Sequence, residues 1–277
     1  MNVTVADAGR VLGFDMDISH IVTNGCSFTY CQGLPTRQGW PALLANKLNC
    51  PLVNLGLPGS GNDSIQRRTY EYIYGNLKFD NKPLVIIGWS QPWRKEAWLD
   101  YKNSKRHYPF PEYYTLRYAD DKVDNGYEQG ILDHWSEEDH YRRATMSKLI
   151  LITLCESLSI PYIMSDFMQQ RNDEPVAKLV DKKFPEITEK VYNNQYYVSP
   201  VHLHTNKLPK LPCGHDGVEA QLFTCNYLFE QIQKLHPKLN FTKDKEFYKL
   251  KDFAEVSKLY RKFPEWCTFQ LKSDILP

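Results

Sequence analysis

Residues 83–89, Pro-Leu-Val-Ile-Ile-Gly-Trp, form an apolar run without a single charge. The run is far shorter than the ~20 residues needed to cross a bilayer, and its β-branched content is that of a strand covered on both faces. Such a strand lies inside a parallel sheet with helices on each side, because parallel neighbours need crossover connections. The flanking sequence repeats this unit. Ile18 to Thr23 reads as a strand ending at the turn Asn24-Gly25, and Gly39 to Leu48 spaces Trp40, Leu43, Leu44 and Leu48 at helical intervals. Pro51 to Leu55 is a second short strand, after which Asp63 or Ser64 caps a helix carrying Ile65, Tyr70, Ile73 and Tyr74. A helix over about Glu137 to Leu158, a strand over Pro161 to Ser165 stopping at Asp166, and a helix over Val218 to Leu235 complete the series.

This alternation predicts an α/β body with a mainly parallel sheet, whose site lies beyond the carboxyl ends of the strands. Polar and glycine clusters at 24–30, 56–62, 88–91, 166 and 213–217 each follow an expected strand or precede an expected helix, so they are placed to converge on one edge. Two stretches, about 93–135 and about 168–212, lose the pattern and read as irregular insertions. The body is expected to span 1–240, with 241–277 a helical appendage packed on it.

Composition bounds the function. With 34 Lys+Arg against 33 Asp+Glu the net charge is +1, which disfavours a role built on nucleic acid or anionic lipid. An apolar content of 42% excludes a disordered chain. Seven cysteines at irregular spacing, with no CxxC, read as reduced thiols. The first residues lack a basic segment followed by an apolar run, and no transmembrane stretch is present, so the expected location is the cytoplasm.

Gly25-Cys26-Ser27-Phe28-Thr29 puts a small hydroxyl residue where a strand turns into a helix. Ser27 there is either a nucleophile with its own N–H at a helix N-terminus, or simply a helix cap. The G-x-S-x-G elbow is absent, since Thr29 stands at the second glycine position.

Taken together, Asn-Gly-Cys-Ser-Phe-Thr-Tyr at 24–30, Asn-Leu-Gly-Leu-Pro-Gly-Ser-Gly-Asn at 54–62, Val-Ile-Ile-Gly-Trp-Ser at 85–90 and Gly-His-Asp-Gly-Val-Glu-Ala at 214–220 resemble the ordered blocks of the SGNH (GDSL-like) hydrolases. They resemble the variant with cysteine in place of aspartate in the first block, a form common in tailed-phage and bacterial genomes. The resemblance covers about residues 18–92 and 145–235 and implies a flavodoxin-like three-layer α/β/α fold. It implies a serine ester hydrolase working through an acyl-enzyme, with no cofactor, on a small-molecule or carbohydrate ester such as a short O-acyl group. Residue by residue, Ser27 would be the nucleophile, the N–H groups of Ser27 and Gly59 the oxyanion donors, and His215 the general base.

Two departures from the pattern matter. The family's oxyanion asparagine falls at Ser90, a shorter donor, and Asn62 is the candidate to supply the missing amide. The family's aspartate three residues before the histidine is replaced by Pro212, so the acid is expected from elsewhere. Asp166, at the end of a strand, is the first candidate, and Asp216, adjacent to the histidine, the second. Losing the orienting acid costs about 10⁴ in rate while leaving residual catalysis.

Other readings of the same residues stay open. Arg67 and Arg68 hold a substrate anion or form a solvated helix face. Trp89, Trp93 and the tyrosines of the first insertion stack on a sugar or simply pack. His202, His204, Cys213 and His215 are zinc-binding residue types, though their spacing matches no strong finger pattern. Finally, the weak third and fourth blocks suit a non-catalytic binding or virion structural module on the same scaffold.

Overall fold

The longest strand, β1 (Met16–Gly25), has a parallel neighbour on each edge, which is why its residues Ile21 and Val22 are buried although they point to opposite faces. The computed structural model describes residues 16–76, 82–98, 113–117, 136–168 and 175–241. On one edge, β2 (Leu52–Asn54) pairs Leu52 with Ile21 and Asn54 with Thr23. On the other, β3 (Lys82–Trp89) runs from Ile18↔Lys82 to Gly25↔Gly88. Outside β3 lies β6 (Tyr162–Asp166), with Trp89 opposite Asp166. The order β2-β1-β3-β6 is wholly parallel, and a single bridge from Met164 to Tyr197 extends it beyond β6.

Helices cover both faces. One face buries Ile21, Leu84, Ile86, Ile163 and Phe167 under α2 (Trp40–Leu48) and the last long helix, α8 (Val218–Leu235). The other buries Val22, Val85, Ile87, Trp89, Tyr162 and Met164 under α3 (Asn62–Asn76) and α4 (Glu137–Ser157). The expected three-layer α/β/α architecture with a mainly parallel sheet is therefore the observed one. Helix starts follow local chemistry: the Ser136 hydroxyl accepts the Asp139 N–H at 3.1 Å, and three acidic residues occupy the first turn of α4. No helix among the described residues is long and apolar enough to cross a membrane.

The two stretches expected to be irregular contain ordered elements. Within 93–135, β4 (Arg94–Trp98) pairs antiparallel with β5 (Tyr113–Arg117), and the rest lies outside the described residues. Within 168–212 stand α5 (Pro175–Lys183), α6 (Pro185–Tyr192) and α7 (His202–Thr205). Their helical period is easy to miss because each buries few apolar side chains: Val180 beside Tyr141 of α4, and Val191 in the α3/α4 core. The prolines also read as breakers, yet Pro185 sits in the first turn of α6, where a missing N–H costs nothing. After α8, β7 (Leu239–Phe241) pairs parallel with Met16–Ile18, so the body reaches its last described strand at the boundary expected for the appendage. The appendage expected over 241–277 lies, from 242 on, outside the described residues.

One polar cluster sits inside the α4 face. Lys148 Nζ donates to Asp166 Oδ1 at 2.7 Å and to the Tyr192 and Tyr197 hydroxyls at 2.9 and 2.8 Å. Burial alone would push the ammonium pKa down, but the carboxylate and the Tyr192 oxygen outweigh it and hold Lys148 above its ordinary value. Removing one partner of such a pair leaves a buried uncompensated charge, so Lys148→Met should cost about 3–5 kcal/mol. In contrast, Arg142, half exposed in its pairing with Asp139, should cost at most about 0.5 kcal/mol on replacement by alanine. Urea unfolding of the two variants checks the contrast.

Candidate active site

Because every strand of the sheet runs the same way, the first three sequence blocks leave it at one edge, and the fourth leads into α8. The first block turns sharply there. A Cβ on Gly25 would lie 2.1 Å from Thr29 Oγ1 and 2.7 Å from the Gly88 carbonyl, so only glycine fits between the two strand ends. Asn24 anchors the turn to α3: its Nδ2 donates to the Ile65 carbonyl at 3.0 Å and to Thr69 Oγ1 at 2.9 Å, while its Oδ1 accepts the Gly25 N–H. Cys26 is extended, and Ser27 opens the single-turn helix α1 (Ser27–Tyr30). The Ser27 hydroxyl makes no hydrogen bond among the described residues, and the residue is 5% exposed.

The second block docks on the first. Leu57 N–H donates to the Gly25 carbonyl at 3.0 Å. Asn54 accepts the Gly56 N–H and donates to the Thr29 carbonyl at 3.1 Å. Gly59 then takes a left-handed backbone, φ 84°, which glycine adopts without strain. The backbone N–H groups of Ser27 and Gly59 donate to no acceptor among the described residues, the condition for binding a developing negative charge.

The third block is clamped rather than free. Asn62 Oδ1 accepts the Ser90 N–H at 2.8 Å and its Nδ2 donates to the Ser90 carbonyl at 3.1 Å. The other amide hydrogen of Asn62 has no acceptor among the described residues. Ser90 Oγ accepts from Arg94 Nη1 at 3.1 Å and lies 3.6 Å from Met168 Sδ, to which the Cys26 thiol also donates at 3.3 Å.

The fourth block is a hairpin. Leu211 N–H donates to the His215 carbonyl, Gly214 N–H to that of Leu211 and Gly217 N–H to that of Pro209, and the buried Asp216 carboxylate is bonded to Lys210. The hairpin sets the His215 ring against Phe28, the residue after Ser27, with centroids 5.4 Å apart. The His215 ring thus lies against the residue next to Ser27, and no hydrogen bond joins it to the Ser27 hydroxyl. His215 Nδ1 is buried and makes no hydrogen bond among the described residues, although the Cys213 carbonyl lies close enough to the ring to favour its charged form. Burial lowers the ring's pKa below its ordinary value; the Cys213 carbonyl and Asp216 act against this, and Arg94 and Lys210 add to it.

Asp166 does not stand behind this histidine. It follows Tyr162 and Met164 in strand parity and so faces α4, where Lys148 binds it, whereas the hairpin with His215 leads into α8 on the other face. Asp166 is thus engaged by Lys148, and no hydrogen bond joins it to His215 among the described residues. A lysine at 148, amid Met146, Leu149 and Ile152, was the signal that a buried carboxylate awaited it.

Other singled-out residues have structural roles. Arg67 pairs with Glu96 at 2.7 Å and Glu71 at 2.8 Å, tying α3 to β4, and Arg68 is half-buried on α3. Trp89 is fully buried core. The zinc reading is not gathered: His204 packs on Phe223 and Tyr227, the His202 side chain lies outside the described residues, and no cluster of three or more potential ligands occurs among those described. All six described cysteines are free thiols.

No protein-family model matches the chain, and no curated protein matches it. Solved structures are similar to it. They include a psychrotrophic esterase, EstA, from Pseudoalteromonas sp., at 14% identity over 78% of this chain and 98% of that one, with a TM-score of 0.49. A member of the lipolytic protein G-D-S-L family from Veillonella parvula matches at 10% identity over 80% of this chain and 98% of its own, TM-score 0.42. An acetyl xylan esterase, Est2A, from the rumen bacterium Butyrivibrio proteoclasticus matches at 10% identity over 82% and 66%, TM-score 0.44. The fold assignment above stands on the strand order itself.

The lowered pKa of His215 sets an expectation. The neutral, proton-accepting ring should persist below the ordinary histidine value of about 6.5. An NMR titration of the ring should have its midpoint under 6.5, and a midpoint above it would contradict the burial described here.

Proposed function

We propose that this chain is a serine ester hydrolase that works through an acyl-enzyme. The observation that carries the reading is the uncommitted pair of N–H groups on Ser27 and Gly59, with the His215 ring packed on Phe28, the residue next to Ser27. Ser27 Oγ attacks the ester carbonyl carbon while its proton passes to His215, and the carbonyl π pair moves onto oxygen. With Nδ1 sealed, Nε2 is the nitrogen that meets the hydroxyl. The two N–H groups and the remaining amide hydrogen of Asn62 hold the oxyanion. Collapse breaks the bond to the alcohol, which leaves with the proton from His215. Water, deprotonated by the same imidazole, then releases the acid and restores Ser27.

The proposed substrate carries a short acyl group, such as acetyl on a small alcohol or a carbohydrate hydroxyl. In this reading the imidazole is held by Phe28 and the hairpin instead of by a carboxylate, a dyad with packing in place of the acid.

One observation favours a second reading. An imidazole whose Nδ1 lacks an acceptor suits a non-catalytic binding or virion module that retains the scaffold. A fluorophosphonate probe and short p-nitrophenyl esters separate the two. The hydrolase reading expects labelling and turnover in wild type, no labelling in Ser27→Ala, and kcat/KM reduced at least about 10³-fold in Ser27→Ala and His215→Ala. Wild type that neither labels nor turns over would leave the binding module. Asp166→Asn should lower stability through Lys148 while changing kcat less than about tenfold, because the carboxylate acts on the fold and not on the ring.

A further inference from the structure

Position 90 is where the third block departs from the family's asparagine, and it is the position that Arg94 reaches. In the register that sets Gly25 opposite Gly88, Ser27 and Ser90 each lie two residues beyond the paired glycines, past the ends of β1 and β3. We propose that Arg94 is a positioning residue that makes the Ser90 hydroxyl an oxyanion donor, by occupying its acceptor side and polarising its O–H bond. The inference rests on the hydrolase reading above.

A hydroxyl carries one hydrogen to donate and lone pairs to accept. Arg94 Nη1 donates to Ser90 Oγ at 3.1 Å, so a lone pair is taken by a cation and the hydrogen is left for another acceptor. A hydrogen bond from a charged donor is stronger than a neutral one, and a donor polarised in this way donates more strongly in turn. In the resting protein the nearby acceptor for that hydrogen is the Met168 thioether, 3.6 Å away, a weak acceptor that an oxyanion displaces.

The donor is also fixed in advance, as oxyanion stabilisation requires. Asn62 holds both backbone groups of Ser90. Arg94 is held by its own backbone: its N–H donates to the Gln91 carbonyl, and its carbonyl packs so closely on Gly61 that a Cβ there would approach it to 2.6 Å. The second block thereby positions both members of the pair. Asparagine in the family pattern brings its own amide, whereas serine here is supplied with charge by a residue four positions on.

A double-mutant cycle on p-nitrophenyl acetate hydrolysis tests the coupling, using Ser90→Ala, Arg94→Met and the double variant, each checked for folding by thermal unfolding. Each single change should lower kcat at least tenfold with KM moved less than threefold. The double should be no worse than Ser90→Ala alone, and Arg94→Lys, which keeps the charge, should recover part of the loss. If Arg94→Met fails to fold, Arg94→Lys and Ser90→Thr carry the cycle: Ser90→Thr retains the hydroxyl and should retain the dependence on residue 94. Effects that multiply, or that fall on KM alone, would overturn the proposal while leaving Ser27-dependent turnover intact. Absence of any Ser27-dependent turnover would overturn this proposal together with the hydrolase reading.

Discussion

The close approach of β1 and β3 at their carboxyl ends governs the rest of the molecule. Gly25 and Gly88 stand opposite each other with no room for a side chain on Gly25, and the Phe167 ring lies within 2.9 Å of where a Cβ on Gly88 would be. With the strands drawn this tightly together, the chain after Gly25 turns at once into α1 and the chain after Gly88 meets Asn62. The consequence is geometric. Ser27, Gly59, Asn62 and Ser90 come from three separate segments, tied together by the Leu57 N–H on the Gly25 carbonyl and by the Asn62 side chain on the Ser90 backbone.

Polar side chains hold that edge from beneath. Asn24 and Asn54 each bridge the end of a strand to a neighbouring helix or loop, replacing backbone bonds that the turns cannot make. On the α4 side, Lys148 and Asp166 do the same with charge, satisfied by two tyrosine hydroxyls. Buried polar groups of this kind are tolerated only when nearly fully bonded. His215 Nδ1 is an exception at the candidate site, and it stands where a triad's acid would be. The proposed chemistry therefore leans on preorganised N–H donors and the packed imidazole more than on an oriented acid.

Much of the fold was legible because burial imposes periodicity. The uncharged run 83–89 could only be a strand covered twice, and the helix over Val218–Leu235 was bounded by Gly217 and its own apolar stripe. What hid was short: α5 and α6 are nine and eight residues long and each opens on a proline, and β4 carries Arg94, Lys95 and Glu96 in a five-residue strand. At the site, Ser27, Gly59 and His215 were legible from motif order. Arg94 was not, because nothing in its local sequence says that it reaches back to Ser90.

Sequence by itself determined the α/β alternation, the glycines at the turns and the residue types available for chemistry, since these depend on local sterics and on which residues water excludes. Tertiary structure alone decided partnership. Asp166 and His215 are both near strand ends, but alternation along β6 sends the carboxylate to Lys148 on one face while the hairpin brings the imidazole to Phe28 from the other. A hydrogen bond is made or lost within an ångström, and only the packed sheet fixes distances that finely.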